Sequence, residues 1–92
     1  MKWLEIISVR TSGQYEEQAQ QFLEGLDHIN QEGSETDIQW CKNADVPGDL
    51  AVILSWTSRP NHHKSDFGLR LSEALKRFGL VDHTCWLIRE KQ

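Results

Sequence analysis

Two stretches of this chain carry the same apolar spacing, and that repetition narrows the possible folds more than any other feature. Tyr15, Ala19, Phe22, Leu23 and Leu26 fall at i, i+4, i+7, i+8 and i+11. Phe67, Leu71, Ala74, Leu75 and Phe78 repeat the series. Each set lies along one face of a helix. Each helix follows a run with strand character, "WLEIISV" at 3–9 and "LAVILSW" at 50–56, rich in β-branched and aromatic residues. Two further strands are expected. "TDIQWCK" at 36–42 alternates, and "VDHTCWLIR" at 81–89 follows the second helix. "NADVPGD" at 43–49 is dense in turn formers and closes a hairpin.

The predicted order is therefore strand, helix, strand, strand, helix, strand. This is the split βαβ arrangement of ferredoxin-like folds, an α+β class. Right-handed crossovers place both helices on one face of a four-stranded antiparallel sheet in spatial order 4-1-3-2. The first and third strands are then central, and the nearly unbroken apolar run 50–56 reads as a strand buried on both faces. Thr11 or Ser12 is the expected cap of the first helix and Ser65 of the second. Gly79 reads as a C′ glycine, with Leu80 making the accompanying hydrophobic contact.

A chain of 92 residues is expected to form a single domain, 1–92, near the small end of what folds alone. Its 38% hydrophobic and 26% charged content is that of a globular protein, not a disordered one. Ten Lys+Arg against fourteen Asp+Glu give a formal charge of -4. That balance argues against nucleic acid as a partner, since such binding draws on a basic surface. The opening "MKWLEIISVR" is too short and too polar for a signal core or membrane span, so no membrane partner and a cytoplasmic location are expected. Cys41 and Cys85 lie in no C-x-x-C pair, which leaves zinc and thioredoxin chemistry without their spacing. Reduced, strand-buried thiols are expected.

Helices on one side leave the other side of the sheet open. Strand parity offers a first account of what that open face holds. A carboxylate beneath packed helices is costly, which assigns Glu5, and with it Trp3, Ile7 and Val9, to the open face. On the third strand Leu50, Val52, Leu54 and Trp56 form the dry set, and Ala51, Ile53, Ser55 and Thr57 are assigned to the open face. The resulting surface is too apolar to stand in water.

A βαββαβ chain of about this length with an apolar open sheet face resembles the dimeric α/β-barrel superfamily. That group includes antibiotic-biosynthesis-monooxygenase-like, stress-responsive barrel and EthD-like proteins. The resemblance spans the whole chain and rests on element order; no motif transfers residue by residue. It implies a homodimer in which two sheets pack face to face around a cavity that takes a small organic molecule. Members range from cofactor-free oxygenases and isomerases to proteins of no known activity, so the resemblance names no reaction. No cofactor is expected.

Three groups of residues are candidate sites. The segment "SWTSRPNHHKSDFGLRL", 55–71, sets Arg59, His62, His63, Lys64 and Ser65 around the start of the second helix. A helix N-terminus with such donors suits an anion or carboxylate, whereas a solvated loop before a capped helix accounts for the same residues. No further acidic or H-x-x-x-H ligand accompanies the histidines, so no metal is assigned. Glu5, with His83 if its parity matches, is the candidate acid–base group; a salt bridge from Glu5 to Arg10, Lys42 or Arg89 is the alternative. The third pattern is the tryptophans Trp3, Trp40, Trp56 and Trp86, one per strand. Trp3 is expected to face the cavity and stack on a ligand, and Trp56 to pack beneath the helices. The RNA-recognition motif shares the element order, but "DLAVILSW" lacks its stacking aromatics. There is no phosphate loop, nucleophile elbow or H-E-x-x-H.

Overall fold

A computed structural model describes residues 2–28, 36–56 and 64–89. Strand β1 (Lys2–Thr11) leads to helix α1 (Tyr15–Glu24), which runs on into a 3₁₀ turn at Gly25–His28. Strands β2 (Thr36–Lys42) and β3 (Asp49–Trp56) form a hairpin, followed by helix α2 (Asp66–Leu75) and strand β4 (Gly79–Ile88). All pairings are antiparallel, and the sheet order is β2-β3-β1-β4. This is an α+β chain of βαββαβ order with an open, four-stranded sheet, compatible with a ferredoxin-like fold. The expected 4-1-3-2 order is the one observed.

Both helices press their apolar stripes on the same side of the sheet. Ala19 and Leu23 of α1 and Leu71 and Leu75 of α2 join Ile7, Val9, Leu50, Val52, Leu54 and Ile38 in one buried cluster. Phe22 meets Phe78 at 5.8 Å between ring centroids, and the Arg77 guanidinium lies over both rings. That contact joins the α1 stripe to the turn after α2.

The register corrects the reading of β1. Glu5 pairs with Leu54, Ile7 with Val52 and Val9 with Leu50. Directly paired residues share a face, so Glu5, Ile7 and Val9 lie under the helices with the β3 core, and Trp3 shares their parity. The open face of β1 carries Leu4, Ile6, Ser8 and Arg10. On β3 the assignment holds for the described residues: Ala51, Ile53 and Ser55 point away from the helices and are half-buried, while Leu50, Val52 and Leu54 are buried; Thr57 lies outside them. β3 is central, yet the described residues cover it on one face only. Trp56 and Trp40 pack against the core, whereas Trp86 is 56% exposed on the open face.

Three local expectations also change. Helix α1 has Gln14 at its N-cap with no side-chain cap; its first amides bond the carbonyls of Ser12 and Gly13. Gly79 ends no helix in a left-handed turn, since positive φ occurs only at Gly13 and Gly48 among the described residues. Gly79 instead opens β4 opposite Thr11, where a Cβ would collide with the Arg10 carbonyl. Leu80 is 79% exposed and makes no Schellman contact. Cys41 is exposed, not buried, and Cys85 is half-buried.

The two cysteines occupy opposite edge strands and also opposite faces, since Cys41 pairs with Ala51 and Cys85 with Glu5. Three inter-strand steps separate the edges by roughly 14 Å, whereas a disulfide needs Cα atoms within about 7 Å. Non-reducing peptide mapping of oxidised protein is therefore expected to find no Cys41–Cys85 bridge within a chain. Finding one would contradict the sheet order.

Candidate functional site

The polar centre of the molecule lies between β1, β4 and the start of α2. Glu5 is 1% exposed beneath α2. A carboxylate taken out of water costs several kcal/mol unless both oxygens find donors. Here both do. Oε1 accepts the Ser65 backbone N–H at 3.0 Å, and Oε2 lies 2.7 Å from His83 Nε2. The His83 side chain is itself only 6% exposed. When ionised, the carboxylate can only accept, and the Nε2–H tautomer of His83 then donates across the 2.7 Å contact.

The sequence around α2 explains why the carboxylate comes from so far away. Ser65 is the N-cap, and its Oγ accepts the Gly68 N–H at 2.9 Å. That is half of a capping box. In the complete motif a glutamate at the third helical position returns to bond the N-cap backbone N–H. This chain has Gly68 at that position, and Glu5 of β1 bonds the Ser65 N–H instead. Gly68 makes the substitution possible, because a Cβ there would collide with Glu5 Oε2 and come within 3.0 Å of Ser65 Oγ. The capping box is thus assembled in trans, sixty residues apart in sequence, and it ties the second helix to the first strand.

His83 is brought in by register. It pairs with Ile7, and Cys85 pairs with Glu5, so β4 presents His83 on the covered face one diagonal step from the carboxylate. The pairing of Glu5 with His83 replaces the alternatives Arg10, Lys42 and Arg89. Arg10 and Glu5 project to opposite faces of β1.

The expected residues therefore separate. Glu5, His83 and Ser65 come together, with Lys64 beside them in sequence. Trp3 lies on the helix-covered side near the end of β1, not on the open face. Arg59, His62 and His63 lie outside the described residues. Among the described residues no group of three His, Cys, Asp or Glu could hold a metal ion. Gly68 was missed as a member of this cluster. Its signal is the S-x-x-G spacing of Ser65 and Gly68, an incomplete capping box that needs an acceptor from elsewhere.

Chemically, a carboxylate bonded to one imidazole nitrogen fixes the ring's orientation. His83 Nδ1 is buried and has no hydrogen-bond partner among the described residues. His83 is among the residues that border a groove of about 660 Å³ between α2 and β4. On the opposite face of the sheet a smaller recess of about 250 Å³ is bordered by Ser8, Arg10, Asp49, Leu80 and Asp82.

No family model, no curated protein and no solved structure matches this chain.

Replacing a mid-helix glycine by alanine ordinarily favours the helix by about 0.8–1.0 kcal/mol. Gly68→Ala is expected to do the reverse here, lowering stability in urea unfolding by about 1–3 kcal/mol through overpacking. In a Glu5→Ala background the same change loses its clash with the carboxylate, leaving only the 3.0 Å approach to Ser65 Oγ, and is expected to cost clearly less. Equal effects of Gly68→Ala in both backgrounds would contradict the contact.

Proposed function

We propose that the chain works as a homodimer built through the open face of its sheet, in the manner of the dimeric α/β barrels. In this reading a small organic molecule binds between the two sheets. The observation that carries the reading is the composition of the uncovered face. Leu4, Ile6, Ala51 and Ile53 form its centre, and Trp86 and Ile88 extend it along β4 at 56% and 41% exposure. A surface of this kind marks an interaction site. Four strands about 4.8 Å apart and some eight residues long give roughly 500 Å² in projection. Pleating and side chains raise that toward the roughly 800 Å² per partner of a standard stable interface.

One end of the face is polar. Arg10 pairs with Asp49 on one side and Leu80 on the other, and Ser8 pairs with Asp82. These residues border the smaller recess. An organic molecule with an apolar body over Ile6 and Ile53 and a polar end at Ser8, Arg10 and Asp82 fits this division. Glu5 and His83 point into the helix side, so an oxygenase or isomerase reaction using either as its acid–base group would have to run there, outside the space between the sheets.

Light scattering of the wild type at micromolar concentration is expected to give the mass of a dimer. Ile53→Asp and Trp86→Asp are expected to give folded monomers with unchanged far-UV circular dichroism. Each removes a side chain whose burial is worth about 1.5–3 kcal/mol per subunit. A monomeric wild type would overturn the proposal. Native mass spectrometry tests the ligand separately. A bound small molecule on the dimer that is absent from the monomeric variants is expected; a dimer that binds none would leave an assembly without a ligand.

A further inference from the structure

β4 ends the sheet, and its ladder partner among the described residues is β1 alone. The register between them runs without a bulge from Gly79 to Ile88. An edge strand leaves a row of backbone N–H and C=O groups ready to pair with another strand, and proteins guard such edges with short length, proline, lysine or bulges. β4 has none of these guards. It is ten residues long, holds no proline, lysine or arginine, and has Asp82 as its one carboxylate. The opposite edge, β2, is seven residues long and carries both Asp37 and Lys42.

The groove between α2 and β4 lies along this edge. Val81 and His83, which face the helices, and Asp82, which faces away from them, all border it, so it opens at the side of the strand and not on one face alone. Helix α2 has ten residues and is about 15 Å long, which matches four or five residues of extended chain at about 3.4 Å each. The two sides of the edge differ in chemistry. On the helix side Lys64 and Arg70 border the groove, and neither has an ion-pair partner among the described residues. Lys76 is balanced by Glu73, 2.8 Å from its Nζ. On the open side Leu80, Trp86 and Ile88 are exposed along the same strand.

We propose that the edge of β4 takes an extended, acidic segment of a partner protein, which adds to the sheet as a fifth strand beside α2. In strand addition the backbone ladder supplies affinity and alternate side chains supply specificity. Side chains of the added strand alternate between the two faces. One set would enter the groove and meet Lys64 and Arg70, which suits Glu or Asp; the other would lie beside Leu80, Trp86 and Ile88, which suits apolar residues. The segment that fits is therefore an acidic–apolar alternation. A second copy of β4 fits less well. An antiparallel pair across a two-fold axis would bring the Lys64 and Arg70 rims of two α2 helices toward each other, like charge to like. The edge is a different surface from the centre of the open face and stands whether or not the chain dimerises.

The test is a titration of the full ¹⁵N-labelled chain with a blocked six-residue peptide alternating Glu and Val, read by backbone amides. Saturable shifts are expected in β4 and along 69–76, with β2 unmoved. Every second amide of β4 is expected to gain protection from hydrogen exchange, because alternate N–H groups of an edge strand point outward. Two further peptides carry N-methyl groups on the Glu amides or on the Val amides. One is expected to bind and the other not, since only one set of amides can face β4. The Lys64→Met, Arg70→Met protein is expected to bind about fivefold more weakly, the loss of two exposed ion pairs. The Ile53→Asp protein is expected to bind as the wild type does. Absence of a saturable shift, equal binding of both methylated peptides, or equal binding of a peptide alternating Lys and Val would each overturn the proposal. Loss of binding in Ile53→Asp would place the peptide on the open face and overturn it too. So would an Ile53→Asp protein that is dimeric in light scattering with its β4 amides already protected, which would assign the edge to a second copy.

Discussion

One carboxylate organises this small domain. Glu5 sits on a central strand beneath α2, with one oxygen on the N-cap amide of that helix and the other on the imidazole of the edge strand β4. Three elements that are far apart in sequence are thereby fixed to a single side chain. Hydrophobic contact alone would let α2 slide along the sheet, because apolar packing is non-directional. Two directed bonds to a buried acceptor do not allow that. Removing one partner leaves an uncompensated charge in the interior, which costs far more than a surface ion pair contributes. Gly68 is part of the same arrangement: it gives up helix propensity so that the carboxylate can approach.

This placement divides the molecule into two working sides. On the helix side, one buried nitrogen of His83 has no hydrogen-bond partner among the described residues. The open side of the sheet is apolar at its centre and charged at one end, with Trp86 and Ile88 in contact with solvent. A domain of this length buries a modest fraction of its surface, and association through such a face is a common way to add to that. The Glu5–His83 pair faces the helices and the apolar surface faces away, so the two faces of the sheet differ in chemistry.

Most of the architecture was legible in the sequence because it rests on periodicity. The paired i, i+4, i+7, i+8, i+11 stripes and the turn-rich "NADVPGD" segment led to the element order, and chirality then led to the sheet order. The assignment of β1 failed because it rested on the cost of burying Glu5 considered alone. A buried carboxylate is expensive only without donors, and its donors here, Ser65 and His83, are sixty and seventy-eight residues away. Pairing that distant has no local signature. One clue was available: the alternate set Leu4, Ile6, Ser8, Arg10 ends in an arginine, which suits an open face better than the set ending in Val9. Gly79 failed for a related reason. A glycine after a helix reads as a cap, and only the strand register shows that the Arg10 carbonyl leaves no room for a side chain.

The central claim is that Glu5 and His83 form one buried unit on which the packing of α2 depends. A double-mutant cycle in urea, with Glu5→Met and His83→Phe as volume-conserving replacements, measures that most directly. Either single change strands one member of the pair and is expected to cost about 3–5 kcal/mol. The double change removes both polar groups and is expected to be less destabilised than the sum of the singles by at least about 1.5 kcal/mol, within the range seen for residues in contact. Additivity within about 0.5 kcal/mol would show that the two side chains do not act together, and would contradict the account of the fold given above.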